Sequence, residues 1–423
     1  MPSSTSISVF GLGHVGIVQA ACLADEGRTV IGVDVDPVRL DAIAAGHCPI
    51  VEPGLAELVE RAVQTGTLRT CQSQQEAVRA SEISIICVGT PAESNGKVDM
   101  RDLLHCIDGI STCLADKRGR HGVIIRSTLP VGATRTHILP RLEALAGGKN
   151  AKATCLFIPE FIREGNAVHD YRHPPKIIVG GCPDDGYALE LVDQLYGGIA
   201  APRHFVTYES AEMAKYADNC WHALKICFAN EVGALASSFG VDGKGLMRLF
   251  TQDRSLNISD AYLRPGMPYG GSCLPKDVAA TGWMAREQAL DLPLLTAVSS
   301  SNDQHLERCV RKVLATGATR VGIWGLSFKP RTSDLRGSPS LALVERLLAA
   351  GRDLAIHDDN IEPSDLARTF RASHPDFDRA VEEGRLRIDG AEALDGCEAV
   401  ILCHIAGKRI AASPGQILVH LHA

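Results

Sequence analysis

Short β-branched runs separated by helix-sized segments organise the first two hundred residues of this chain. They fall at 7–11 (ISVFG), 29–34 (TVIGVD), 83–89 (ISIICVG), 122–127 (GVIIRS), 154–159 (TCLFIP) and 176–181 (KIIVGG). Most are apolar at nearly every position rather than at alternate ones, which is the pattern of strands covered by helices on both faces. The alternation predicts a doubly wound, Rossmann-like α/β domain with a parallel sheet over 1–206.

From 207 the period changes. The stretch ESAEMAKYADNCWHALKICFANEVGALASSFG (209–240) has no internal proline and no glycine before Gly233. As one helix it would run about 45 Å at 1.5 Å per residue. Met213, Ala217, Trp221, Leu224, Phe228, Val232 and Leu235 recur at helical spacing and predict one apolar stripe. Lys215, Asn219 and His222 form a polar line roughly opposite, an arrangement suited to a helix joining two domains. Further helical patterns at 241–254 and 276–316 predict an all-helical centre over 207–316. TRVGIWGLSF (319–328), DLAIHDDN (353–360) and CEAVILCH (397–404) then restore the strand pattern, with a helix at 338–351. They predict a second, smaller doubly wound domain over 317–423, an echo of the first.

Bulk properties narrow the class. A chain of 423 residues is too long for one core. The net charge of −7, with no basic cluster, argues against a nucleic-acid surface. No apolar run reaches membrane-spanning length. MPSSTSISVFGLG passes directly into a strand without a basic then apolar leader, so the expected location is the cytoplasm. The 14 cysteines show no CxxC pair and no metal-ligand spacing, so no metal is expected. Most read as small buried hydrophobes.

GLGHVG follows the first strand and opens a helix. Gly11 permits the tight turn, Gly13 lets backbone approach a pyrophosphate, and Gly16 lets helix pack on strand. Asp34 ends the second strand, where a carboxylate accepts from a ribose diol and repels a 2′-phosphate, favouring NAD over NADP. Arg39 lies close by. CVGTP (87–91) and RSTLPVG (126–132) close two strands in small hydroxyl residues, making Thr90 and Thr128 candidate cofactor or water contacts. Each could equally cap the following helix. PEFIREG (159–165) places Glu160, Arg163 and Glu164 beyond the fifth strand, where ligands of open α/β sheets lie.

RPGMPYGGSCLPKDVAA (264–280) sets Cys273 in a glycine-rich turn ahead of a helical segment. Lys276 and a helix N-terminus would lower a thiol pKa and favour the thiolate. In an NAD enzyme such a thiol has a defined use: attack on an aldehyde, loss of a second hydride to give a thioester, then hydrolysis.

Taken in order, GLGHVG, VDVD, PIVEPGL, CVGTP, RSTLPVG, PEFIREG, AEMAKYADNCWHALKICFANE, GGSCLPKD and GLSFKPRTSDLRGSP resemble the nucleotide-sugar dehydrogenases, the UDP-glucose and GDP-mannose 6-dehydrogenases, essentially end to end. The central and thiol motifs are most similar to the GDP-mannose branch. The resemblance implies four-electron oxidation of a sugar-nucleotide alcohol to a carboxylate with two NAD. It implies Cys273 as nucleophile, Lys215 and Asn219 as oxyanion donors, and Glu160, Thr128 and Asp277 in water activation and proton transfer. Gly11, Gly13, Val15, Gly16, Asp34, Arg39, Thr90, Thr128, Glu164 and Arg336 correspond to cofactor contacts. Phe161, Arg163, Glu164, Lys215, Asn219, His222, Asn257, Tyr262, Arg264, Gly270 and Lys329 correspond to substrate contacts. A homo-oligomer built on the helical centre is implied as well.

Two stretches depart from the family pattern. Ile158 stands where the family usually has asparagine, and ILCHIAGKRI (401–410) replaces a polar loop. The alternatives left open are the same chemistry on a UDP-sugar, a two-electron β-hydroxyacid dehydrogenase, and a dinucleotide sensor without turnover.

Overall fold

The computed structural model describes residues 5–95, 97–145, 151–181, 185–259, 266–271, 274–327, 335, 337–359, 361, 363–364, 366–367, 371, 377–388, 394–403, 413 and 415–421. Within helices and strands, the side chains of 144, 145, 151, 152, 276, 277 and 377 are outside the description. The chain divides into two compact units, Met1–His222 and Ala223–Ala423.

The first unit alternates strand and helix: β1 (Ser6–Phe10), α1 (His14–Asp25), β2 (Thr29–Val33), α2 (Pro37–Ala44), α3 (Leu55–Gln64), β3 (Leu68–Cys71), α4 (Gln74–Ala80), β4 (Ile83–Ile86), α5 (Arg101–Ala115), β5 (Gly119–Ile125), α6 (Leu139–Leu145), β6 (Ala151–Phe157), α7 (Ala167–Arg172), β7 (Ile177–Gly180), α8 (Gly186–Tyr196) and β8 (Arg203–Val206). One sheet runs β3-β2-β1-β4-β5-β6-β7-β8. Strand order reverses between β1 and β4, which pair with Ile7 opposite Ile83, and this is the switch point where such sheets bind ligands. Two apolar layers cover the sheet. Ile7, Val9, Ile17 and Leu23 belong to one; Phe10, Ile86, Ile107 and Ile125 belong to the other.

The six expected strands are present, and the sheet is parallel with one correction. β7 meets β6 antiparallel, through Phe157 and Gly180. β3 and β8 were not anticipated. Both are four residues long, carry exposed polar positions and lie at the sheet's edges, where the burial pattern that marks a strand is weakest.

α9 (Tyr208–Ser238) is the long helix. Its burial contradicts the expected stripe over the first half. Ala211, Glu212 and Lys215 are buried, whereas Met213 is 53% exposed and Trp221 and Leu224 are also exposed. Helical spacing identifies a common face but not the side on which the rest of the chain lies. Phe228, Val232 and Leu235 do pack, against Ala285, Leu292 and Leu295.

In the second unit follow α10 (Gly243–Phe250), α11 (Leu274–Glu287), α12 (Pro293–Leu314), β9 (Arg320–Trp324), α13 (Pro339–Ala349), β10 (Asp353–His357), the short helix Phe377–Glu382, β11 (Leu386–Ile388), β12 (Ala399–Leu402) and β13 (Ile417–His420). The pattern at 276–316 therefore splits into two helices. Ala289 turns at φ 51° and Pro293 starts the next helix. Glu231 caps that helix, accepting from the Leu294 and Leu295 amides at 2.9 Å each. The five strands form a parallel sheet, β11-β10-β9-β12-β13, with the same reversal of order. The echo extends to the loops. Asp34 accepts from the Leu12 amide at 2.6 Å, and Asp358 accepts from the Leu326 amide at 2.7 Å. Among the described residues, no helix is long and apolar enough to cross a membrane.

Candidate active site

The three fingerprint glycines fill the β1–α1 turn, each for a different steric reason. Gly11 adopts φ +84°, and a Cβ there would meet the Cys87 carbonyl oxygen at 2.9 Å. A Cβ on Gly16 would lie 1.8 Å from the Gly11 carbonyl oxygen, so helix and turn touch backbone to backbone. Around Gly13 nothing lies within 4 Å of where a Cβ would be. That open space at the N-terminus of α1 is where pyrophosphate oxygens can approach backbone N–H groups. Gly13, Val15, Asp34 and Arg39 line a cavity of ≈ 890 Å³. Gln72, Gln74, Asp102 and His105 line it too, none of them signalled by a motif.

Asp34 is buried, and its carboxylate accepts from the amides of Leu12 (2.6 Å) and Asp36 (3.0 Å) and from Arg39 Nη1 (3.0 Å). Burial alone would raise its pKa. The two amides and Arg39 outweigh that and hold it below the usual carboxylate value. A carboxylate has about four acceptor positions, so capacity for a ribose hydroxyl remains.

Thr90 and Thr128 do not serve as separate helix caps. Thr90 Oγ1 donates to the Thr128 carbonyl at 2.7 Å, and Ser127 Oγ donates to the Val88 carbonyl at 2.6 Å. These bonds join the loops after β4 and β5. Glu212, fully buried on α9, braces the same region by accepting from the amides of Gly132 and Thr134. Sequence reasoning missed it. Its signal would have been a carboxylate on the face of α9 that also carries Lys215.

Lys215 is 7% exposed. Its Nζ donates to Glu160 Oε1 at 2.9 Å and to the Glu160 carbonyl at 2.7 Å. Glu160 Oε2 accepts from the Ile162 amide at 2.9 Å. Phe161 offers its ring to two ammonium groups, Lys215 at 5.5 Å and Lys176 at 4.9 Å from the centroid. A carboxylate so held can take a proton from water, and the ammonium beside it can donate to a developing oxyanion. Asn219 and His222 follow on α9, both exposed.

Arg163 is already engaged, donating from Nε (2.8 Å) and Nη2 (2.7 Å) to Asp170. That contact holds the Asp170 carboxyl well below the usual range. Glu164 is exposed next to Gly165. Glu52, buried and absent from the expected set, accepts from the amides of Gly165 (2.9 Å) and Ala167 (2.8 Å) and so fixes this loop.

In the second unit, Asn257 Nδ2 donates to the Phe250 carbonyl at 3.1 Å. A Cβ on Gly270 would lie 2.4 Å from the Gly337 carbonyl oxygen, so this position has no room for a side chain. Asn302 and His305 on α12 tie down the segment carrying it, through Tyr269 and the Gly266 carbonyl. α11 begins at Leu274, but Cys273 itself lies outside the described residues, as do Tyr262, Arg264, Lys329, Arg336 and the side chain of Asp277. Among the described thiols, burial pushes Cys87, Cys106 and Cys155 up to about 12, which leaves them protonated at neutral pH.

The NAD binding domain of the UDP-glucose/GDP-mannose dehydrogenase family matches residues 5–200, its central domain 209–304 and its UDP binding domain 322–406. The chain belongs to this family. It is therefore an NAD-dependent dehydrogenase of the nucleotide-sugar class. GDP-mannose 6-dehydrogenase from Pseudomonas syringae pv. syringae is 41% identical over 357 residues, 84% of this chain and 81% of that protein. UDP-glucose 6-dehydrogenase from Rhizobium meliloti is 33% identical over 363 residues, covering 83% and 81%. The ternary-complex crystal structure of GDP-mannose dehydrogenase from Pseudomonas aeruginosa superposes with a TM-score of 0.87 at 37% identity, covering 94% of this chain and 90% of that one. UDP-glucose dehydrogenase from Pyrobaculum islandicum gives 0.58 at 31% identity, covering 100% and 99%.

Within this family the departure at Ile158 is accommodated. Ile158 is buried in an apolar layer, its amide donates to the Ile125 carbonyl at 2.9 Å, and Glu160 keeps its two donors. Most of the altered C-terminal segment, 404–410, lies outside the described residues.

Proposed function

We propose that this chain oxidises the C6 alcohol of GDP-mannose to the carboxylate of GDP-mannuronate. The observation that carries the GDP-mannose reading is the higher likeness, in sequence and in fold, to GDP-mannose dehydrogenases than to UDP-glucose dehydrogenases. NAD, when bound, accepts a hydride in each of two oxidations. The buried Lys215–Glu160 pair supports the proton chemistry. Lys215 and Asn219 donate to oxygen as it gains charge. Cys273 adds to the aldehyde to give a thiohemiacetal, and loss of the second hydride leaves a thioester. Glu160, with Thr128 and Asp277, takes a proton from the water that attacks the thioester carbon, and the thiolate leaves.

On this reading 1–206 binds cofactor through Gly11, Gly13, Val15, Gly16, Asp34, Arg39, Thr90, Thr128 and Glu164, with Arg336 supplied from 317–423. Phe161, Arg163, His222, Asn257, Tyr262, Arg264, Gly270 and Lys329 contact substrate, and 207–316 carries the thiol. The exposed Met213, Trp221, Leu224 and Ile226 on α9 support a homo-oligomer through this helix. The cytoplasm is the location consistent with an NAD-dependent reaction.

NADH counted per sugar nucleotide tests the reading. Two NADH per GDP-mannose, none with UDP-glucose, and no sugar acid from Cys273→Ser are the expected results. One NADH per sugar would overturn the thioester route, and preference for UDP-glucose would overturn the base assignment.

A further inference from the structure

Glu52 lies in the segment between α2 and α3, with its side chain fully buried. Its oxygens reach across the fold to the head of α7: Oε1 accepts from the Ala167 amide at 2.8 Å and Oε2 from the Gly165 amide at 2.9 Å. Asn166, at the cap position itself, makes no side-chain capping bond, so Glu52 stands in for a local cap. These amides close the loop that carries Glu160, Arg163 and Glu164. A third neighbour is His14. Its Nε2 lies 3.4 Å from Glu52 Oε2, near enough for an ion pair, yet it is buried and makes no hydrogen bond among the described residues. His14 is the first residue of α1 and lines the cofactor cavity beside Gly13 and Val15.

A carboxylate has about four acceptor positions, and the two amides take two of them. A ring nitrogen without a partner therefore faces a carboxylate with spare capacity, about half an ångström beyond hydrogen-bond distance. Bringing a pyrophosphate toward a buried carboxylate is unfavourable unless a donor stands between the two charges. His14 borders both. With a dinucleotide in the turn the ring loses water on its cavity side, and Glu52 is its acceptor on the other. Folding does not depend on this contact, because Ile17 and Leu23 of α1 share an apolar layer with Val168 and Tyr171 of α7.

We propose that His14 and Glu52 are positioning residues that link the cofactor turn to the loop carrying Glu160, Arg163 and Glu164. His14 closes onto Glu52 when the turn is occupied, and Glu52 passes that order to the Gly165 and Ala167 amides. The link rests on NAD lying in this turn and on the roles proposed for that loop.

The test uses the full chain with ADP-ribose, which carries the pyrophosphate without the nicotinamide ring. Hydrogen exchange is read by mass spectrometry on peptides covering 159–168. At saturation the Gly165 and Ala167 amides should exchange about fivefold more slowly, the value of one added hydrogen bond, and adenosine should give no slowing. His14→Phe, saturated with ADP-ribose as checked by titration, should lose the slowing. His14→Gln, whose amide can still donate to Glu52, should restore part of it. Glu52→Gln keeps one acceptor oxygen, so one of the two amides should exchange quickly with or without ADP-ribose. Equal slowing in wild type and His14→Phe would overturn the proposal, a comparison that does not depend on Glu52→Gln folding. So would ADP-ribose that binds wild type without slowing either amide. No binding of ADP-ribose at all would overturn the placing of the cofactor in this turn, and the link with it. Sugar nucleotide and turnover play no part in the readout, so failure of the proposed reaction would leave these results unchanged.

Discussion

His121 lies on β5 with none of its surface exposed, inside a polar chain at the end of the sheet remote from the fingerprint turn. Lys117 Nζ contacts its Nδ1 at 3.0 Å, and its Nε2 contacts Ser84 Oγ at 2.8 Å. Ser84 Oγ in turn meets Ser8 Oγ at 3.0 Å, which meets Ser81 Oγ at 2.9 Å. Because the ammonium must donate, Nδ1 accepts and Nε2 carries the proton. The ring is neutral when the chain is folded. Burial first, then the charge of Lys117, lowers its pKa from 6.5 to about 3. Below pH 6.5 the unfolded chain therefore takes up a proton here that the folded chain refuses. Stability is intact above that value and falls as pH drops toward 3. Linkage sets the loss at about 2 kcal/mol between pH 7.5 and pH 5. Hydrogen exchange in urea, read by mass spectrometry on peptides covering β4 and β5, would measure this for the first unit alone. The comparison is wild type against His121→Gln, which cannot protonate. Both lose stability from other groups, so the test is the difference between their pH responses. A difference of about 2 kcal/mol is expected; identical pH responses would refute the assignment of a neutral, proton-refusing imidazole.

Gly16→Ala places a Cβ 1.8 Å from a backbone oxygen that cannot rotate away, so the turn and α1 must separate. NAD affinity by fluorescence titration should fall at least about tenfold, and unchanged affinity would show that the turn does not cradle the pyrophosphate. Lys215→Ala removes the partner of Glu160 and, on the proposed mechanism, the oxyanion donor. Steady-state kinetics should show kcat reduced on the order of 10²–10³ with little change in KM; a defect confined to KM would make Lys215 a binding residue instead.

Local sequence determined much of this protein. Buried strands announce themselves by apolar runs, because a strand covered on both faces needs them, and the runs at 7–11, 83–89 and 319–328 each contain one. The fingerprint was equally legible, since the steric demands on Gly11 and Gly16 arise within a few residues and in the strand alongside. The edge strands Leu68–Cys71 and Arg203–Val206 were not, because a half-covered strand carries a mixed pattern that a loop shares.

Only the tertiary structure decided which side of α9 is buried. Spacing put Met213, Trp221 and Leu224 on a common face, yet the fold buries Glu212 and Lys215, whose charges are met by the amides of Gly132 and Thr134 and by Glu160. Those partners lie more than fifty residues away in the chain. The same holds for Glu52 beneath the Gly165–Ala167 loop and for Arg126 against Tyr196. A sequence specifies periodicity over a few turns of helix. Whether a buried charge finds a partner depends on groups that come together only after the sheet is assembled.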